Sequence, residues 1–209
     1  MNMPDLELHL ITDIHARAER SDAVANRVRI LSTAEKLFLE RGVAFVNMAE
    51  IAKTARVGQG TLYRHFANKG ELCHALMDKQ MVDFQNRVID ELNRFTLNKT
   101  PKISQLHWFI DSLIGFNDSH TALLCEAQMS IYHPSQTRPQ PYVWIHMTIA
   151  GLLRGAMLLG EIQSHHDVQV LADVILAPLQ PSVFRLMRDA NNYELNRIRN
   201  TMHDMIGRI

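Results

Sequence analysis

Apolar residues recur at intervals of three and four along almost the whole of this 209-residue chain, and no window alternates apolar with polar residues as a half-buried strand would. That periodicity leaves an all-α fold of about nine helices. Val28, Leu31, Ala34, Leu37 and Phe38 share one face, with Gly42 as a stop. Asn47 is placed to cap a short helix from Met48 to Ala55, Val57 to Gly60 is a turn, and Thr61 to Phe66 is a second short helix. Asn68 and Glu71 have capping-box spacing. They open a long helix carrying Met77, Met81, Phe84, Val88, Leu92 and Phe95. Thr100-Pro101 starts another, with Ile103, Leu106, Ile110, Leu113 and Asn117, and Ser119 starts a separate one to Tyr132. The three prolines between His133 and Pro141 mark a loop, and Pro141 opens a strongly apolar helix to Glu161. Asp167 caps a further helix interrupted at Pro178 and Pro181, and a last one carries Leu195, Ile198, Met202, Met205 and Ile209.

Lys plus Arg number 22 and Asp plus Glu also 22, which excludes a globally basic nucleic-acid coat and a disordered acidic tail. The balance is uneven along the chain. Asp13 to Gly70 holds ten basic and six acidic residues, a local excess suited to phosphate neutralisation, although ordinary surface scatter gives the same figure. Two cysteines, Cys73 and Cys125, do not make a disulfide scaffold and fit a reducing compartment. The first fourteen residues interleave apolar and charged side chains, unlike an export signal. The most apolar stretch, Ile145 to Gly160, contains Arg154 and is shorter than a membrane span. The expected location is the cytoplasm.

The two short helices and their glycine-containing turn read as a helix-turn-helix. On a helical wheel Leu62 and Phe66 fall on one side, Thr61, Arg64 and His65 on the other, and Tyr63 at the flank. An apolar back and a donor-rich front let a helix pack on a core while facing a groove. Gly58 and Gly60 would let a nucleic-acid backbone come close.

Ile51-Ala52, Ala55, Val57, Gly60-Thr61-Leu62-Tyr63-Arg64-His65-Phe66 and Lys69-Gly70-Glu71-Leu72 together resemble the DNA-binding domain of the tetracycline-repressor (TetR) family, and Ala34 to Gly42 matches its first helix. The resemblance covers about Val28 to Leu76. It implies a homodimeric, ligand-responsive repressor that occupies a palindromic operator on double-stranded DNA. It also implies DNA contacts from Gln59, Gly60, Thr61, Tyr63, Arg64, His65 and Lys69. Tyr63 and Lys69 would hold phosphates, while Gln59, Thr61 and Arg64 suit base edges. Three positions depart from the family pattern: Val46 replaces a common Thr, Arg56 a common Gly, and Gly70 a stronger helix former. Asn47 is the substitute for the missing hydroxyl, and Arg56 must take a left-handed conformation or change the turn. The expected domains are a DNA-binding domain at 13–67, with a basic arm, and a ligand-binding and dimerisation domain at 68–209. Arg17, Arg20, Arg27 and Arg29 either enter an adjacent minor groove or form a solvated helical extension.

In the second domain Trp108, Met129, Tyr132, Trp144, Met147 and Arg154 are the candidates to line a pocket for a small, largely apolar effector, with core packing as the alternative for each. Gly151, Gly155 and Gly160 form a small-residue stripe that serves close helix packing or leaves room for a ligand. Val168, Leu171, Ile175, Leu195, Ile198, Met202 and Met205 give the last two helices apolar stripes, read as a four-helix dimer seam. His165-His166-Asp167 lacks any accompanying metal-ligand spacing and reads as a surface loop. No catalytic constellation and no cofactor motif is visible. The remaining alternatives are a DNA-binding regulator controlled by a protein partner and, remotely, a pocket enzyme.

Overall fold

A computed structural model describes residues 3–131, 140–163 and 165–209, and the side chains of 21–128, 141–163 and 165–209. Among them lie nine α-helices and no strand: α1 (Met3–Arg41), α2 (Met48–Thr54), α3 (Gln59–His65), α4 (Lys69–Leu97), α5 (Lys102–Ile131), α6 (Gln140–Leu158), α7 (Val168–Leu176), α8 (Pro181–Arg185) and α9 (Leu195–Ile206). Packing divides the chain into a unit that ends at Leu76 and a second from Met77 to Ile209.

In the first unit α1 packs on α2, and α2 on α3. Ile30, Ala34, Ile51, Ala52, Leu62, Phe66, Leu72 and Cys73 are its most deeply buried residues. The caps are those the spacing predicts. Asn47 accepts the Glu50 amide at 2.9 Å. Asn68 accepts the Glu71 amide at 2.9 Å, and Glu71 reaches back to the Ala67 amide at 2.8 Å. Helix α1 begins far upstream of Val28, so the described part of the basic stretch is helical extension.

Arg56 does take the left-handed conformation, at φ 53°. Its amide bonds to Lys53 and the next amide, of Val57, to Ala52, which closes α2 as a Schellman turn. A Cβ in that conformation costs about 1 kcal/mol. Arg56→Gly should therefore raise stability by about 1 kcal/mol, measured as a higher urea midpoint at unchanged slope.

In the second unit α5 is the element against which α6, α8 and α9 pack. It is one helix, not the expected two. Asn117 starts no break: it is buried, and its amide donates to the Leu179 carbonyl at 2.7 Å. Ser119 bonds back to Gly115 within the same helix. Phe84, Phe109, Phe116 and Trp144 form an aromatic cluster, with Phe84 and Phe116 4.6 Å apart. The amides of Lys102 and Ile103, at the open start of α5, donate to the two carboxylate oxygens of Glu161, each at 2.9 Å. The three glycines form no common stripe. Gly155 lies against the Lys102 stem, where a Cβ would come within 3.2 Å. Gly151 is exposed, and Gly160 ends α6 at φ 72°. Asp167 caps α7 as expected, accepting from Gln169 and Val170.

His107 stacks on His203 with ring centroids 4.4 Å apart, joining α5 to α9. Asp111 sits 3.0 Å from both His203 Nε2 and Arg199 Nε. Burial, and then the neighbouring His203, hold the His107 imidazole below its ordinary 6.5. The neutral ring thus contributes stability that is fully present above pH 6.5 and is lost as pH falls through the lowered value. The urea midpoint should fall between about pH 7 and pH 5, with a shallower fall in His107→Phe.

Neither cysteine is in a disulfide, and both are buried. Burial pushes the Cys125 thiol up, so it packs rather than reacts.

Candidate nucleic-acid interface

Helix α3 turns Leu62 and Phe66, 0% and 2% exposed, into the core of the first unit. The opposite side is open. Gln59, Gly60, Tyr63 and Arg64 are exposed, and Thr61, His65 and Lys69 are half-buried at the margin. A Cβ at Gly60 would meet no atom within 4 Å, so this start of the helix faces outward unobstructed. The DNA-facing residues expected from the sequence therefore lie along one strip, from the first turn of α3 to the first turn of α4. Asn47, also exposed, caps α2, its side-chain oxygen accepting from the Glu50 amide.

The helix-turn-helix is held from behind. Arg41 at the end of α1 pairs with Glu50 on α2. The Phe66 amide bonds to Leu62 at 3.0 Å and ends α3 in extended backbone. His65 is the one member of the strip that looks partly inward. Its Nε2 is buried without a partner, and burial together with the Arg64 and Arg27 guanidiniums holds its imidazole below the usual range. Positive charge gathered around an outward helix face is what a phosphate backbone neutralises.

A family model described as "Bacterial regulatory proteins, tetR family" matches residues 30–76, the helices just described. Over that segment the chain is similar to the tetR family. An HTH-type transcriptional regulator of Staphylococcus aureus (strain bovine RF122 / ET3-1) is 46% identical over 107 residues, which are 51% of this chain and 56% of the relative. Another, from strain MRSA252, is 36% identical over 105 residues, 50% of this chain and 55% of the relative. The chain thus spans about half the length of the curated relatives it matches. The Thermus thermophilus FadR, a TetR-family transcriptional repressor solved in complex with lauroyl-CoA, superposes at TM-score 0.62 over 88% of this chain and 95% of its own, with 18% identity. A putative transcriptional regulator from Saccharomonospora viridis, solved with choline, gives 0.60 over 86% and 94%, with 19% identity. At such identities the structures establish the shared helical fold.

The residues expected to line a pocket in the second unit have differing surroundings. Trp108 meets Phe95 edge-on at 5.5 Å, and Trp144 packs against Phe84 and Phe109. Both are partly buried and packed against the core. Met147 is 67% exposed, and Arg154 is exposed on the same outer side of α6. Seven residues apart, the two nearly eclipse on a helix, so they point together, away from the buried Ile149, Leu153 and Ala156. The Met129 side chain and all of Tyr132 lie outside the described residues. A groove of about 640 Å³ is lined instead by polar side chains of α5 and of the stretch after Pro181, among them Asp118, Thr121, Arg185, Arg188 and Asn192.

The dimer stripes are corrected as well. Val168, Ile175, Ile198 and Met202 are buried in the chain's own core, with Leu171, Leu195 and Met205 packed against it. Their 3-4 spacing reports a helix face that α5 and its neighbours cover. The large apolar residues left exposed on α6 and α7 are Met147, Leu158, Val170 and Val174.

Proposed function

We infer that this chain is a DNA-binding transcriptional regulator that represses by occupying a palindromic operator as a homodimer and is released when a small molecule binds. The observation that carries the reading is α3: an apolar back seated in the core and a front of Gln59, Thr61, Tyr63 and Arg64 presented with no obstruction. Arg64 is suited to a bidentate contact with guanine, and Tyr63 and Lys69 to phosphates. Selection from a random-sequence duplex library with the purified full-length chain should yield a palindrome. Its affinity should fall steeply as salt rises. Recovery of no preferred sequence refutes the reading.

The second copy is assigned to the Met147, Val170 and Val174 face. The His146 ring lies 3.2 Å from the Gln169 carbonyl, which joins α6 to α7, the helices that carry these exposed apolar groups. Release by a ligand follows the neighbours solved with lauroyl-CoA and choline. Packing of Trp108 and Trp144 against the core favours a second reading, in which a protein partner rather than a small apolar effector controls the regulator. Thermal shift of the purified chain against an acyl-chain and quaternary-ammonium panel separates the two, since only a ligand-responsive chain is stabilised by a small molecule.

A further inference from the structure

One residue of α1 bears on the DNA-facing strip without belonging to it. The Arg27 guanidinium carbon lies 4.7 Å from the Phe66 ring centroid, within cation–π range. Phe66 is the residue on which α3 ends and is 2% exposed, so the cation closes over the ring that anchors the last turn of the helix. The same guanidinium is close enough to act on the charge of His65, the neighbour of that ring. Arg27 is half-buried, whereas Arg29, two positions on, is exposed and bonded within α1 to Asn26. The two described arginines of the basic stretch therefore occupy different environments, and one of them is seated against the end of α3.

We propose that Arg27 is a positioning residue of the DNA-binding surface: stacked on Phe66, it fixes the last turn of α3 and the step to Lys69, and it does so without holding a phosphate itself. The proposal rests on the DNA reading above. Its physical content is that a guanidinium lying over an aromatic ring braces the ring in place. The last turn of α3 carries Arg64 and His65 and leads into Lys69, so a loosened Phe66 would misplace all three together. A phosphate-holding arginine would behave differently, weakening every duplex alike and removing about one released counterion from the salt dependence.

The test uses the full chain, the palindrome recovered by selection, and a random duplex of equal length. Arg27→Ala should weaken operator binding by roughly threefold to fivefold. Random-duplex binding should fall by less than operator binding, and the slope of log K against log salt should change by less than the loss of one phosphate contact. Arg27→Lys, which keeps the cation over the ring, should restore most of the loss. Independently of DNA, the imidazole resonances of His65 should titrate at higher pH in Arg27→Ala than in the wild type, because a repelling charge is gone. A change confined to the stability of α1 would leave that titration where it was. Equal loss on both duplexes with a slope lower by about 0.9 makes Arg27 a phosphate contact and overturns the proposal. So does a His65 titration that ignores the substitution. A wild-type chain that prefers no duplex refutes the DNA reading itself. In that case the His65 titration still decides whether the Arg27 charge sits against the end of α3.

Discussion

Changing Tyr63 and Lys69 to alanine together should lower operator affinity by about a hundredfold, at unchanged helicity. Tyr63 is 50% exposed and stands at the flank of α3, and Lys69 opens α4, so neither is part of the core that holds the helix-turn-helix. Their loss should weaken every duplex alike and flatten the salt dependence, as removal of phosphate contacts does. Arg64→Ala should act in another way, relaxing the preference at one base pair of each half-site by about 1–3 kcal/mol while binding to random duplex falls less. Fluorescence anisotropy at several salt concentrations reads both. An unchanged affinity in the double variant would show that the strip along α3 is not the DNA-binding surface.

The substitutions Ile198→Glu and Met202→Glu, made together, should unfold the second unit. Both side chains are within 5% of full burial, in the layer where α9 meets α5. Each new carboxylate would be placed in an apolar core at a cost of several kcal/mol, and the two together match the total stability of an ordinary domain. Val170→Glu with Val174→Glu is the contrasting pair. These residues are 57% and 52% exposed, so the fold should survive. Sedimentation should then find a monomer that no longer binds the operator, since two half-sites are read only when two recognition helices are held about one DNA turn apart. A Val170/Val174 variant that remains dimeric removes that face from the interface. A wild-type chain that sediments as a monomer removes the homodimer.

The helix-turn-helix was legible because its chemistry is local. The caps at Asn47 and Asn68, the wheel of α3 and the left-handed Arg56 all depend on residues a few positions apart. The second unit was less so because its evidence lies at long range. A 3-4 repeat such as Ile198 and Met202 states that a face is covered, and is silent on whether the cover is α5 or a second copy. On α6 most positions are apolar, so little in the pattern separates the buried Ile149 and Leu153 side from the exposed Met147 and Arg154 side. Ser119 read as the start of a separate helix because serine favours caps, yet the helix is held through this point by Asn117. Its partner, the Leu179 carbonyl, is 62 positions away.

The carboxylate of Glu161 on the start of α5 has a kinetic consequence. It joins residues 59 positions apart, and closing a loop of that length from the unfolded chain costs about 3–4 kcal/mol of entropy. Two hydrogen bonds do not recover that cost at an early stage. The contact must wait until α5 and α6 have already paired, and it therefore belongs to the downhill side of the folding barrier. Glu161→Ala should leave the refolding limb of a chevron plot in place and raise the unfolding limb by about fivefold, the rate equivalent of losing a helix cap. Glu161 would thus set how long the second unit stays folded, with little influence on how quickly it gets there.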